Sequence, residues 1–181
     1  MLNVVVKNTE RFLLSVPKTK RKKYGQFFTN MSTAKFMASL FCFDHSKPCL
    51  EILDAGAGTG ILATAVIQKL IDDGYKGRIH VTCYETDDFV MPVLEENMRL
   101  STVLPNVTCS IKTDNYITSQ NFSNYTHFGG EDFHYDYIIG NPPYLKTPKD
   151  AVEALAMPEV CYGAPNLYFL FWAMGIHNLK E

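Results

Sequence analysis

The apolar positions of this chain fall into short runs of two kinds. Some repeat at helical spacing; others are continuous or alternate, as in strands covered on both faces. "CLEILDAG" (49–56) reads as a buried strand ending in glycine. "RIHVTCYE" (78–85) alternates as a strand, with Ile79, Val81 and Cys83 on one face. "NVTCSIKTD" (106–114) and "HYDYIIG" (134–140) are further strands. Between them lie helical patterns. "STAKFMASLFCF" (32–43) predicts a helix capped by Ser32 or Thr33, with Phe36, Leu40 and Phe43 on one face. "ILATAVIQKLIDDG" (61–74) has apolar residues at 62, 66, 67 and 70 and stops at Gly74. "FVMPVLEENMRL" (89–100) is helical provided that Pro92 lies in the first turn. The first sixteen or so residues carry a weak signal for a short helix or arm, and residues 115–134 read as a polar loop. The order β-α-β-α-β-loop-β predicts an α/β fold with a doubly wound, mostly parallel sheet.

The fourth strand ends abruptly in "IIGNPPYLK". Pro142 and Pro143 cannot continue a sheet, because each lacks an N–H and has a fixed φ. The chain leaves the sheet rigidly, carrying the amide of Asn141 and the ring of Tyr144. A proline-terminated strand accounts for this corner taken alone. Three other strands, however, also end on polar stops: Asp54, Glu85 and Asp114. The carboxyl ends of strands are where open α/β sheets bind ligands.

"DAGAGTG" (54–60) places Gly56, Gly58 and Gly60 at a strand-to-helix turn after Asp54. Dinucleotide sites need G-x-G-x-x-G, and Ile61 stands where the third glycine would fall. An acid at Asp54 repels phosphate and suits a ligand with a cationic amine, such as the methionine part of S-adenosylmethionine. Glu85 can accept both hydroxyls of a ribose. Asp87 is the fallback for that role or, equally, the N-cap of the following helix. Asp114 is placed for an adenine amino group or is a solvated turn residue. At the corner, the Asn141 side-chain oxygen and the Pro142 carbonyl can accept both hydrogens of a conjugated amino group. That draws the nitrogen toward tetrahedral geometry and frees its lone pair. Tyr144 offers a flat face for a base that has left its stack.

The chain has 181 residues, 46% of them hydrophobic, enough for one core. Its net charge is −2, so a polyanion is not bound by overall charge. Lys18, Lys20, Arg21, Lys22 and Lys23 form a local basic cluster, read as a solvated loop or as contacts to DNA phosphates. Five cysteines without a C-x-x-C spacing suit a reduced, cytoplasmic protein. No secretion signal, membrane span or metal site is expected.

With its motifs in order, the sequence resembles the gamma-class adenine-specific DNA methyltransferases of bacterial restriction–modification systems. "YGQFFTN" (24–30), "DAGAGTG" (54–60), Glu85 and "NPPY" (141–144) match the family's G-Q-[FY]-[FY]-T-P, D-x-G-x-G-x-G, acid and N-P-P-[YF] in sequence, and Asn166-Leu167-Tyr168 matches a later helix start. The resemblance covers roughly residues 20–175. It implies a Rossmann-like, S-adenosylmethionine-dependent catalytic domain over 24–181 behind an N-terminal arm at 1–23. Thr29 and the backbone at Tyr24 would meet the cofactor's methionine end. The cofactor would also contact Asp54, Gly56, Gly58, Glu85, Asp114 and Asn141, with Asn141, Pro142 and Tyr144 catalytic. Double-stranded DNA is the expected partner; no oligomeric state is implied. Two residues depart from the family: Asn30 replaces a proline, and Thr86 replaces an apolar residue. Family members continue into further strands and a target-recognition domain, so this chain is expected to be an incomplete catalytic fragment, inactive alone. The alternatives are a protein glutamine methyltransferase, an RNA adenine methyltransferase, or a non-catalytic cofactor-binding fragment.

Overall fold

A computed structural model describes residues 1–16, 29–120, 122, 134–161, 163 and 165–180. Tyr24 and the basic cluster at 18–23 lie outside the described residues. Strands β1 (Cys49–Ala55), β2 (Arg78–Tyr84), β3 (Val107–Lys112) and β4 (Tyr137–Ile139) form one parallel sheet in the order β3-β2-β1-β4. Strand order thus reverses between β1 and β4, both sequence-central to the glycine turn and the proline corner. The expected doubly wound α/β architecture is the observed one.

Both sheet faces are covered, as the apolar strands require. On β1, Leu50 and Ile52 face one core, shared with Val66, Ile67, Leu94 and Met98. Leu53 and Ala55 face the other, shared with Tyr116, Ile117, Phe122, Leu170 and Met174. The first face is covered by α1 (Leu2–Ser15), α2 (Met31–Ser39), α3 (Ile61–Asp72) and α4 (Met91–Ser101). The second is covered by Tyr116, Ile117 and Phe122 and by α6 (Leu167–Asn178), which follows the short α5 (Val152–Ala156) and a 3-10 turn, Pro158–Val160. Past α6, Leu179 bridges Tyr135 in parallel, extending the pairing beyond β4.

Three expectations are corrected. Helix α2 begins at Met31, and its N-cap is Asn30, whose side chain accepts from the Thr33 N–H. Its buried face is Ala34 and Ala38, whereas Phe36 and Leu40 are exposed. Small residues let α2 approach α3 closely, and that outweighs the larger apolar pattern. Asn30 therefore fills the cap position that the family's proline leaves without a side-chain acceptor. The segment after β3 is not a polar loop throughout, because Tyr116, Ile117 and Phe122 are core residues. Asp87 does not cap α4, whose N-cap is Val90; it closes the preceding turn by accepting from the Phe89 N–H. Pro92 does fall in the first turn of α4.

With only three residues, β4 needs other fastening. Asp136, just ahead of it, accepts from the Glu51 N–H at 2.8 Å and pairs with Lys47 at 2.6 Å and Lys180 at 3.3 Å. Burial raises the carboxyl pKa, but these partners outweigh it, and the group lies below its ordinary value.

Candidate active site

The carboxyl ends of the strands surround a cavity of about 670 Å³. Its first wall is the turn from β1 into α3. Gly56, Gly58 and Gly60 all have positive φ, 71°, 55° and 77°, a region L-residues with a side chain rarely enter. Gly60 also lacks room for a side chain, whereas Gly56 sits at ordinary contact distance from its neighbours. A Cβ on Gly60 would lie 2.6 Å from the Met98 methyl, and one on Gly56 would lie 3.4 Å from the Phe171 ring and 3.8 Å from the Pro142 Cα. The glycine turn and the proline corner are therefore packed together, as the sequence reading required.

Glu85 leaves the end of β2 and ties this turn down. Its carboxylate accepts from the N–H groups of Gly58 at 2.9 Å, Thr86 at 2.8 Å and Asp87 at 2.9 Å. Burial still lifts its pKa above the ordinary glutamate value, because the three N–H groups offset only part of the desolvation. Asp54 is wholly buried and does not line the cavity. One of its oxygens accepts from the Ala63 N–H at the start of α3. The other, Oδ1, has no partner among the described residues. Burial, helped by the nearby charge of Glu85, pushes this carboxyl up to about 7. The acid of the glycine motif thus acts from behind the turn.

The second wall is the corner after β4. Asn141 and Pro143 line the cavity together with Thr29, and the Asn141 amide donates from Nδ2 to the Thr29 hydroxyl at 3.2 Å. That bond fixes which way the amide faces. Pro142 is buried against the glycine turn. Tyr144 is not on the cavity wall; half exposed, its ring stacks on Tyr168 with centroids 5.1 Å apart and planes 23° apart.

Of the sequence-predicted residues, the structure brings Thr29, Gly56, Gly58, Glu85, Asp114 and Asn141 onto one cavity. Sequence reasoning missed its apolar surfaces: Leu62, Tyr84, Phe89, Tyr116 and Phe171. Phe171 was readable in principle, one helical turn past Leu167 on the helix that opens with Asn166. Tyr84 and Tyr116 carry no motif; they meet edge-on at 5.0 Å only because β2 and the segment after β3 end side by side. No cluster of potential metal ligands occurs among the described residues, and no described helix is long and apolar enough to cross a membrane.

A parallel sheet of this order, with a glycine turn and an acid over one cavity at its carboxyl edge, defines a class I methyltransferase fold, and S-adenosylmethionine is the cofactor of that fold. It superposes on a type I restriction–modification methyltransferase subunit of Streptococcus thermophilus with a TM-score of 0.60 at 20% identity, over 85% of this chain and 32% of that one. A Listeria monocytogenes protein assigned to the class I S-adenosylmethionine-dependent methyltransferases gives 0.62 at 22% identity, over 86% and 44%. The profile of the Eco57I restriction-modification methylase family matches residues 19–181, and the chain belongs to that family. It is 31% identical to the type II methyltransferase M.PstI of Providencia stuartii, over 99% of this chain and 36% of the relative. It is also 32% identical to a release factor glutamine methyltransferase of Fusobacterium nucleatum, over 72% of this chain and 31% of the relative. The chain spans about a third of the length of these curated relatives.

Proposed function

We propose that this chain is the catalytic part of a restriction–modification enzyme that transfers a methyl group from S-adenosylmethionine to the exocyclic amino group of adenine in DNA. The observation that carries the proposal is the bond between Thr29 and Asn141 on the wall of the glycine-turn cavity. It joins the two halves of the motif set at the place where cofactor and target would meet. The cavity's residues fit the cofactor: its volume suits a nucleoside joined to an amino acid, Gly56 leaves room that a Cβ would take, and Glu85 presents a carboxylate at the end of β2. When bound, the cofactor supplies an electrophilic methyl group.

The chain's own residues do the rest. Glu85 receives the ribose hydroxyls, and Asp114 the adenine amino group of the cofactor. Asp54, when ionised above its raised pKa of about 7, sets negative charge behind the turn, toward the methionine ammonium. The Asn141 oxygen and the Pro142 carbonyl accept the two hydrogens of the target nitrogen and expose its lone pair. The stiff prolines hold the carbonyl in place before substrate arrives, so little reorganisation remains. Tyr144 gives the flipped base a stacking face, with Tyr168 behind it. The gamma-class order of motifs supports adenine over cytosine.

A second reading is favoured by one observation, the 32% identity to the glutamine methyltransferase. The same two acceptors would hold an amide nitrogen equally well. In the complete enzyme, single-turnover transfer from tritiated S-adenosylmethionine to duplex DNA, RNA and release-factor protein separates the readings. N6-methyladenine recovered from DNA supports the proposal; label found in protein alone overturns it in favour of glutamine.

A further inference from the structure

The family profile begins at residue 19, after α1 has ended. Yet α1 is fastened to the cavity at two separate points. Its Thr9, 2% exposed, donates its hydroxyl to that of Thr59 at 2.8 Å, and Thr59 is itself buried and on the cavity wall. One turn on, Phe12 packs on Phe89, another residue of the cavity wall, with ring centroids 5.6 Å apart. A second path runs through α4. Asn8 donates to the Asn97 Oδ1 at 3.0 Å, and Asn97, wholly buried, donates to the Thr59 carbonyl at 2.8 Å. Thr59 is thus held by hydroxyl and carbonyl together, both held ultimately by α1.

Buried hydroxyls and amides are costly unless each partner is met. A helix serving only to cover the core would need none of them; Leu2, Val5 and Val6 already do that work. We propose that Thr9 and Asn8 are positioning residues of the cofactor site, acting through Thr59 to hold the glycine turn in its binding shape, so that α1 is part of the site and not an appended arm. The inference rests on the cavity being the cofactor site.

The test uses S-adenosylhomocysteine as probe, with titration calorimetry and thermal unfolding on the same preparations. Thr9→Val keeps the shape and removes the hydroxyl; Thr9→Ser keeps the hydroxyl. Val5→Ala is the control, since Val5 is buried in the core but touches no cavity residue through a hydrogen bond. Thr9→Val is expected to weaken binding about three- to tenfold, the effect of one lost buried hydrogen bond. Thr9→Ser is expected to remain within about twofold of wild type on the same scale. Val5→Ala should lower Tm by as much as Thr9→Val or more, yet leave affinity unchanged. The inference fails if Thr9→Val binds as tightly as wild type, or if Val5→Ala weakens binding as much as Thr9→Val does. Absence of binding by the wild-type chain would instead overturn the cofactor assignment itself.

Discussion

Replacing Glu85 by Gln separates ligand binding from folding. In the folded chain the carboxylate accepts three backbone N–H bonds but is buried enough that its pKa still rises. Its ionised form is therefore held at a net cost relative to water. Gln avoids that cost. Its amide oxygen keeps the Thr86 and Asp87 donors, and its NH₂ group is turned on the Gly58 N–H. Leaving that donor unmet costs about 1–3 kcal/mol, offset by the relief of charge burial. Stability should change by no more than about 2 kcal/mol, or about 4–8 °C in Tm for a chain of this size. Binding behaves differently. A ribose diol gives the carboxylate two charge-assisted bonds; Gln can accept only one, as a neutral group. The loss is about 2–3 kcal/mol, or roughly 30- to 150-fold in Kd. Titration calorimetry with S-adenosylhomocysteine, paired with thermal unfolding, reads both numbers. A Kd within about threefold of wild type, well short of the roughly tenfold per 1.4 kcal/mol expected here, refutes the ribose role. A Tm drop far beyond the stated range makes Glu85 chiefly a brace for the turn.

Asp54 predicts a pH dependence. Its folded pKa, about 7, lies above the ordinary 3.8, so the folded state holds the proton more tightly and stability falls as pH rises between those values. Above about 7 the penalty is constant. The slope is at most about 1.4 kcal/mol per pH unit. Asp54→Asn, which can still accept from the Ala63 N–H, should flatten urea midpoints across pH 5–8 and weaken binding of the ammonium-bearing cofactor; an unchanged slope excludes Asp54 as its source. In the complete enzyme, Asn141→Ala should lower single-turnover methyl transfer about a hundred- to thousandfold with cofactor Kd nearly intact; a comparable loss in Kd would move Asn141 from catalysis to cofactor binding. Tyr144→Phe keeps the stack on Tyr168 and should be mild, whereas Tyr144→Ala should cost about 1–3 kcal/mol of base stacking, read from 2-aminopurine fluorescence on a target-site duplex. Gly60→Ala should destabilise by at least about 1–2 kcal/mol through its left-handed φ alone, with Met98 displaced as well; a folded variant of unchanged Tm would show that the turn adapts.

The glycine turn was legible because glycine has little reason to alternate there except a conformation that other residues avoid, and three positive φ values are what the turn uses. The proline corner was legible for the complementary reason: prolines announce where a strand must end. Both signals are local, and each survives without knowledge of what lies opposite. The face of α2 was misread because counting large apolar residues ignores how close two helices come. Ala34 and Ala38 are buried because they are small, and Phe36 is exposed despite its size. The polar composition of 115–134 likewise hid three core side chains, since a loop closing one end of a sheet is polar on average and apolar at the points of contact.

The support of the site was beyond reach for a deeper reason. Thr9, Thr59 and Asn97 are polar residues in the interior, and their burial follows from partners 50 and 38 positions away. No window of sequence contains both ends of such a bond. On a helix, Thr9 reads as one more exposed position between Asn8 and Glu10. Only when α1, α4 and the glycine turn are docked does each group find its complement, and the cost of leaving any one unmet then ties all three together. The walls of this cavity are written in motifs, while their alignment is carried by residues whose types say nothing alone. Substitutions at such positions should therefore shift cofactor affinity without altering any motif, which makes Thr9, Asn8 and Asn97 the places where otherwise motif-identical chains come to differ in binding.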